Sequence, residues 1–380
     1  MILTPTEIAV LSIAVILIFF YHIYWQKVNS HFFTDNSILN NENNLKLTFL
    51  CAFRNEEKHL INFLKCIKYT KTRQNWNWIL INDHSSDNSI RIIEDFIDSN
   101  SDINISVISL SPNIFGKKSA IDLGVRKANT DWIYCLDADV LFTESNINQL
   151  INETIKSNAK LAFGSIKYEG GTSFIENYQI IENTALIALG RYHYFHNNPT
   201  VGNAANMLFQ KKYYLELEPY KNNLKVMGGD DIFFIEKSWQ KKDHSLYLSN
   251  NSNTAFTTYV LKNWGELISQ RIRWAQKTKF QSTKKTQFSQ IYLALFFLIF
   301  WGLIIHFWVN GVYAVSLLLL SFQVISNQIF LQGFLKKYNQ KVSPFRIIQA
   351  SLFQPFFILF IGFAQFFTKG TWKDRSNPSN

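Results

Sequence analysis

The hydrophobic pattern divides this chain into three kinds of segment. Ile8 to Trp25 runs about 18 residues without a charge, long enough to span a bilayer, and its aromatic end (Phe19, Phe20, Tyr21, Tyr24, Trp25) suits a membrane interface. A basic start and a small-residue cleavage site are both missing, so an uncleaved anchor over 1–27 is expected rather than a signal peptide. The polar stretch 28–45, rich in Asn and Ser from His31 to Asn44, reads as a linker. Short apolar runs then alternate with segments of helical period. Strands are expected at Leu47–Phe53, Trp78–Ile81, Ile105–Leu110 and Trp132–Leu136. Between them lie Glu56–Tyr69 with Leu60, Phe63, Leu64 and Ile67 on one face, a helix from about Ser86 with Ile90, Ile93 and Ile97, and Lys118–Ala128. This alternation predicts an α/β fold, a mostly parallel sheet with helices on both faces. Beyond Glu144 a helix carrying Ile147, Leu150, Ile151 and Ile155 leads to a strand over Lys160–Ile166, and Thr172–Tyr220 has less pattern and more aromatics. Three apolar stretches of near-spanning length finish the chain: Gln290–Val309, Val312–Leu331 and Phe345–Phe367.

Composition changes the picture in one respect. With 47% hydrophobic and 17% charged residues over 380 positions, a mainly disordered chain is excluded. The net charge of +10 would suit nucleic acid, but the basic residues gather beside the apolar segments: Lys277, Lys279, Lys284 and Lys285 before one, Lys336, Lys337, Lys341 and Arg346 between two others. Positive-inside topology and anionic lipid head groups account for that placement, so membrane lipids are expected as partners and nucleic acid is not. Cys51, Cys66 and Cys135 lack metal spacing and read as core residues of a reducing compartment. His306, Gln323 and Asn327, inside the apolar stretches, read as helix-packing contacts.

In open parallel sheets ligands bind beyond the carboxyl ends of the strands, where strand order reverses. Polar clusters stand at those ends: Arg54-Asn55-Glu56-Glu57, Asn82-Asp83-His84-Ser85-Ser86-Asp87 and Asp137-Ala138-Asp139. Each by itself is explained by turns and helix caps; three together point to a site. A nucleoside diphosphate leaving group needs its negative charge neutralised, and Mg2+ or Mn2+ takes one or two carboxylates plus phosphate oxygens. Asp137 and Asp139 supply that minimum.

Ala52-Phe53-Arg54-Asn55-Glu56-Glu57, the cluster from Asn82 to Asp87, Gly116-Lys117-Lys118-Ser119-Ala120 and Asp137-Ala138-Asp139, in this order and spacing, resemble the nucleotide-sugar half of the inverting family 2 glycosyltransferases. The resemblance runs from about Leu47 to Lys277 and implies a nucleotide-diphospho-sugar transferase (GT-A, Rossmann-like) domain over 46–288; hydropathy and charge then put membrane segments over 289–368 and a basic tail over 369–380. It implies donor nucleotide contacts from Arg54, Glu56, Asp83, Lys117 and Asp137, with Asp139 and Asp137 on the metal. The second motif usually begins Asp-Asp; Asn82 stands at its first position here, so the base contact rests on Asp83. Gly202-Asn203-Ala204-Ala205-Asn206-Met207 is similar to the small-residue turn that precedes the catalytic acid in this family, and a plain strand-turn reads equally well.

Gly228-Gly229-Asp230-Asp231 is the second acidic focus. It reads either as a loop with a helix cap or as a general base, since an acceptor hydroxyl must lose a proton as it attacks the anomeric carbon. By the resemblance Asp231 is the base, with Asp230 next. Gln270-Arg271-Ile272-Arg273-Trp274 matches the family's Gln-x-x-Arg-Trp motif, and at helical spacing Gln270, Arg273 and Trp274 share a face. Trp stacks on sugar rings, Gln bonds hydroxyls and Arg clamps pyrophosphate, so these three are assigned to acceptor and pyrophosphate; an amphipathic interfacial helix is the other reading. Thr371-Trp372-Lys373-Asp374-Arg375 resembles a tail motif of membrane-bound transferases.

The expectation is thus an integral membrane enzyme of the bacterial inner membrane with its catalytic domain cytoplasmic. It would move a sugar from a nucleotide-diphosphate donor, UDP-linked, to a lipid-linked or growing glycan acceptor. A catalytically silent scaffold that binds nucleotide sugar or glycan is the alternative, disfavoured because Asp139, Asp231 and Arg273 occur together. A solute transporter is disfavoured by the large polar block. Three C-terminal spans would put Lys369, Lys373 and Arg375 outside, so the last stretch, interrupted by Pro355, is also read as a re-entrant or interfacial hairpin.

Overall fold

A computed structural model describes residues 4–31, 45–70, 76–224, 226, 228–277, 284–368, 371–372 and 375–376. Most of the linker, Lys279, the side chains of Lys284 and Lys285, and most of the basic tail lie outside the described residues. Along the chain come α1 (Pro5–His31), β1 (Leu47–Phe53), α2 (Glu57–Tyr69), β2 (Trp76–Asn82), α3 (Ser89–Asp98), β3 (Ile105–Ser109), α4 (Lys117–Lys127), β4 (Trp132–Asp137) and β5 (Val140–Leu141). Next are α5 (Glu144–Lys156), β6 (Leu161–Phe163), β7 (Ile166–Glu169), α6 (Phe174–Phe195), β8 (Asn206–Gln210), α7 (Lys211–Leu217), α8 (Ile232–Gln240), β9 (Leu246–Leu248) and β10 (Phe256–Tyr259). The helices α9 (Trp264–Lys277), α10 (Lys284–Val309), α11 (Tyr313–Lys337) and α12 (Pro344–Ala364) follow, and a small ribbon of β11 (Thr371–Trp372) and β12 (Arg375–Ser376) ends the described chain.

Two compact units result. One holds 34–169, 199–260 and 370–380; the other holds 1–33, 170–198 and 261–369. The line falls differently from the 46–288 domain expected above, because α6 and α9 go with the helical unit.

The first unit is built on a seven-stranded sheet of order β3-β2-β1-β4-β8-β6-β9. Its strands are parallel except β8, which runs antiparallel to both β4 and β6. Six of the seven residues of β1 are buried, as a strand covered on both faces demands. Helix α2 buries Leu60, Phe63, Leu64 and Ile67, the stripe its period predicts. Phe49 pairs in register with Trp78 on one side and Tyr134 on the other, and the rings stack at 4.1 and 5.3 Å between centroids. Such aromatic pairs add to the area they bury and pin the register of β2, β1 and β4.

The strand expected over Lys160–Ile166 is two strands in different sheets: β6 in the large sheet, β7 beside β10 in a three-stranded one. The chain breaks step at Gly164, where a Cβ would lie 2.3 Å from Asn206 Nδ2. The fully buried Asn206 accepts from Tyr134 Oη at 2.6 Å and donates to the carbonyls of Ser165 at 3.0 Å and Thr254 at 2.8 Å, tying both sheets to β4.

In the helical unit α6 packs against α1, α11 and α12. Thr172–Tyr220 is weakly patterned in sequence, yet it contains this 22-residue helix. A capping box starts it: Ser173 Oγ accepts from Glu176 N, and the Glu176 carboxylate accepts from Ser173 N. Among the described residues, Glu7–Ser30, Tyr313–Lys337 and Pro344–Ala364 are long and apolar enough to cross a membrane, and Leu295–Val309, the part of α10 with described side chains, is apolar as well. Helix α12 continues through Pro355 as one element, so the hairpin reading of the last stretch does not hold. Asn327 is a packing contact, accepting from Tyr21 Oη at 2.5 Å.

Candidate active site

Strand order reverses at β1, which has β2 and β3 on one side and β4 on the other. The polar ends of β1, β2 and β4 meet there. Asn55 and His84 both take positive φ, and the two loops are laced together. Arg54 Nη1 donates to the carbonyls of Asp83 at 3.0 Å and His84 at 2.7 Å; Asn55 N donates to Ser85 Oγ at 3.1 Å, Glu56 N to Ser89 Oγ at 2.8 Å, and Ser86 N to Asn55 Oδ1 at 2.8 Å. Arg54 thus clamps the second loop, while the Glu56 carboxylate takes His59 Nδ1 at 2.8 Å. Asn82 accepts from Ser85 N at 2.9 Å and donates to Ser109 Oγ at 3.3 Å. A carboxylate could accept only, so an amide suits that position.

Asp83 is almost fully buried, and its Oδ2 accepts from Gly116 N at 3.0 Å. Gly116 has φ +94°, a conformation that favours glycine, and sets the direction of α4. Two lysines open that helix, against the helix dipole, which makes local partners necessary. Lys117 Nζ lies 2.6 Å from Asp137 Oδ1 and 2.6 Å from Asp230 Oδ2, joining the end of β4 to the loop before α8. Burial alone would lower the Lys117 ammonium, but Asp137 and Asp230 carry it well above the usual lysine range. One cation between two carboxylates leaves a negative charge over, and burial, with Asp230 nearby, holds Asp137 above the usual carboxylate range. Asp139, whose carbonyl accepts from Thr258 Oγ1 at 3.1 Å, has its carboxyl pushed up to about 6 by burial, Asp137 and Glu56.

That surplus of negative charge is the property a divalent cation needs. Among the described residues no group of three or more metal-ligating side chains occurs, so a cation here would take Asp137 and Asp139 and complete its shell with phosphate and water. The donor set fits Mg2+ or Mn2+ on those terms.

Asp230 and Asp231 diverge. Asp230 faces Lys117, and its carbonyl accepts from Tyr220 Oη at 2.7 Å; Asp231 is half-buried and caps α8, accepting from Ile232 N at 2.8 Å. The helix-cap reading of this segment holds at Asp231, while Asp230 turns to Lys117. Lys118 was not singled out from the sequence: buried, it donates to the carbonyl of Asn223 and lies 4.6 Å from the Phe233 ring centroid, anchoring the loop that carries the two acids. Its signal was the unfavourable second lysine at a helix start. Gln270, Arg273 and Trp274 are on α9 in the helical unit, with Trp274 4.2 Å from the Arg271 guanidinium.

Residues 48–217 match the family described as Glycosyl transferase family 2. Poly-beta-1,6-N-acetyl-D-glucosamine synthase of Staphylococcus aureus (strain COL) is 27% identical over 303 residues, covering 73% of this chain and 69% of that protein. The synthase of the same description from Staphylococcus epidermidis is 28% identical over 262 residues, covering 66% and 60%. The fold is similar to that of mannosyltransferase PcManGT from Pyrobaculum calidifontis, solved in complex with GDP-Man and Mn2+, with a TM-score of 0.60, 13% identity, and coverage of 91% of this chain and 99% of that one. The fold is GT-A-like, and the chain is a glycosyltransferase.

Proposed function

We propose that this glycosyltransferase moves a sugar, with inversion, from a UDP-linked donor to a growing glycan or lipid-linked acceptor at the bacterial inner membrane, its catalytic unit cytoplasmic. The observation that carries the reading is the Lys117 bridge, because it gathers acids from the β4 end and the α8 loop onto one cation at the switch point of the sheet. A nucleoside diphosphate needs cationic donors beside carboxylates that can share a metal, and this cluster supplies both kinds of group.

In this reading Asp83 contacts the base, Arg54 and Glu56 shape the loop around it, Lys117 faces the diphosphate, and Asp137 lies nearer the ribose and metal. Mg2+ or Mn2+ on Asp139 and Asp137 would neutralise charge on the departing phosphate. The acceptor oxygen bonds to the anomeric carbon as the bond from that carbon to the phosphate oxygen breaks, and the acceptor proton passes to Asp231. Asp231 is the better base of the two because Asp230 is tied up in the bridge with Lys117. Gln270, Arg273 and Trp274 would serve acceptor and pyrophosphate. The β-1,6-linked N-acetylglucosamine polymer named for the staphylococcal relatives supports UDP-N-acetylglucosamine as the first donor to try. The apolar helices support a membrane setting.

A panel of nucleotide sugars with Mn2+ or Mg2+, read as nucleoside diphosphate release with and without glycan acceptor, tests the reading. Metal-dependent release from one donor, stimulated by acceptor, is expected. No release from any donor by folded protein that binds UDP would favour the silent scaffold.

A further inference from the structure

Arg271, the second residue of the Gln270–Trp274 segment, has its side chain fixed from another helix. Its Nε and Nη2 donate to Glu182 Oε2 of α6 at 2.9 and 2.6 Å, and both side chains are about nine-tenths buried. The remaining arm, Nη1, donates to Gln270 Oε1, and the guanidinium lies 4.2 Å from the Trp274 ring centroid. Arg271 therefore touches both ends of the motif, and Glu182 sets where Arg271 points. Glu182 is itself placed: its Oε1 lies 3.4 Å from Tyr178 Oη, which donates to Gln354 Oε1 of α12 at 2.5 Å. Gln276, further along α9, donates to the carbonyls of Gln365 at 3.2 Å and Thr368 at 2.8 Å.

We infer that Glu182 and Arg271 are positioning residues for the acceptor-binding face of α9, holding the Gln270 amide and the Trp274 ring in one orientation. The inference rests on the assignment of Gln270 and Trp274 to the acceptor. A guanidinium gripped by two bonds to one carboxylate has little rotational freedom, and a stacked indole inherits that order. A sugar ring that stacks on Trp274 would then meet a platform already in place, so the cost of orienting it is met before binding.

The test uses the full chain in detergent, with UDP-N-acetylglucosamine and a short β-1,6-linked N-acetylglucosamine oligomer as probes. Glu182→Gln keeps the volume and one hydrogen bond; its acceptor KM should rise about tenfold while donor KM stays within about twofold. The reversed pair Glu182→Arg with Arg271→Glu restores an ion pair and should regain thermal stability. It should not regain transfer, because a carboxylate at 271 neither donates to Gln270 nor stacks as a cation on Trp274. Recovery of wild-type acceptor KM in the reversed pair, or wild-type kinetics in Glu182→Gln, would overturn the inference. Hydrogen exchange over 264–277 gives a readout independent of substrate: faster exchange in Glu182→Gln supports the inference and unchanged exchange overturns it. Should Trp274→Ala leave transfer intact, the acceptor assignment fails, and the exchange result decides the positioning contact alone.

Discussion

Lys117 Nζ and Asp230 Oδ2 lie 2.6 Å apart, so an acid adjacent to the proposed base is bound to the same ammonium that holds Asp137. Removing that ammonium leaves two carboxylates at close quarters. Lys117→Met should lose about 2 kcal/mol of stability, less than a fully buried ion pair because Asp137 is about one-third exposed. Thermal unfolding in EDTA checks the loss, and Mn2+ should recover part of it. An unchanged melting temperature would mean that the bridge carries no stability.

The two acids of the α8 loop should separate by function. Asp231→Asn should lower transfer about 10³-fold while UDP affinity stays within about twofold, since a lost general base costs rate and not donor binding. Asp230→Asn should weaken donor binding, because Lys117 would then turn wholly to Asp137. Single-turnover transfer and UDP titration of both variants distinguish them, and the opposite pattern would move the base to Asp230.

Asp139 makes the ligand-free protein sensitive to pH. Its carboxyl titrates near 6, raised by burial, by Asp137 and by Glu56, above the ordinary aspartate value that it regains when unfolded. The folded state holds this proton more tightly, so stability falls as pH rises from about 4 through about 6 and stays lower above that range. Asp139→Asn should flatten this slope and raise the melting temperature near neutral pH in EDTA. Mn2+ should stabilise the wild type and not the variant. A wild-type slope that survives in the variant would assign it to another group.

Gly164 and Asn206 should be intolerant of change. Gly164→Ala would drive a methyl into the Asn206 amide, 2.3 Å away, and both sheets would have to shift. Asn206→Ala leaves Tyr134 Oη and two carbonyls unsatisfied in the core, a loss of about 2–3 kcal/mol. Soluble yield and thermal unfolding read both outcomes, and near-wild-type stability of Asn206→Ala would show that the network is slack.

The first four strands were legible because each is an apolar run that stops at a polar cluster, and the register aromatics Phe49, Trp78 and Tyr134 sit inside those runs. Asp83, Asp137 and Asp139 stand out as polar residues at strand ends for the same reason, whereas Lys117 stands out only through the family resemblance. Other features needed tertiary structure. Helix α6 buries Glu176, Asn177, Gln179 and Arg191 along with its apolar residues, so no clean stripe announces it. The break at Gly164 depends on Asn206, some forty residues on. Asp230 and Asp231 are neighbours in sequence, and only the turn decides that one meets Lys117 and the other caps α8. Arg271 occupies an unspecified position of Gln-x-x-Arg-Trp, and its partner Glu182 lies 89 residues earlier.

Helix α6 interrupts the sheet-bearing unit between β7 and β8, yet its packing partners include α11 and α12, which are translated long after it. The nascent chain must therefore carry a half-covered helix until α11 and α12 have been made. Helices α11 and α12 are thus folding partners of an element made much earlier, so a stop codon before Tyr313 would leave α6 with an uncovered apolar surface, an aggregation hazard.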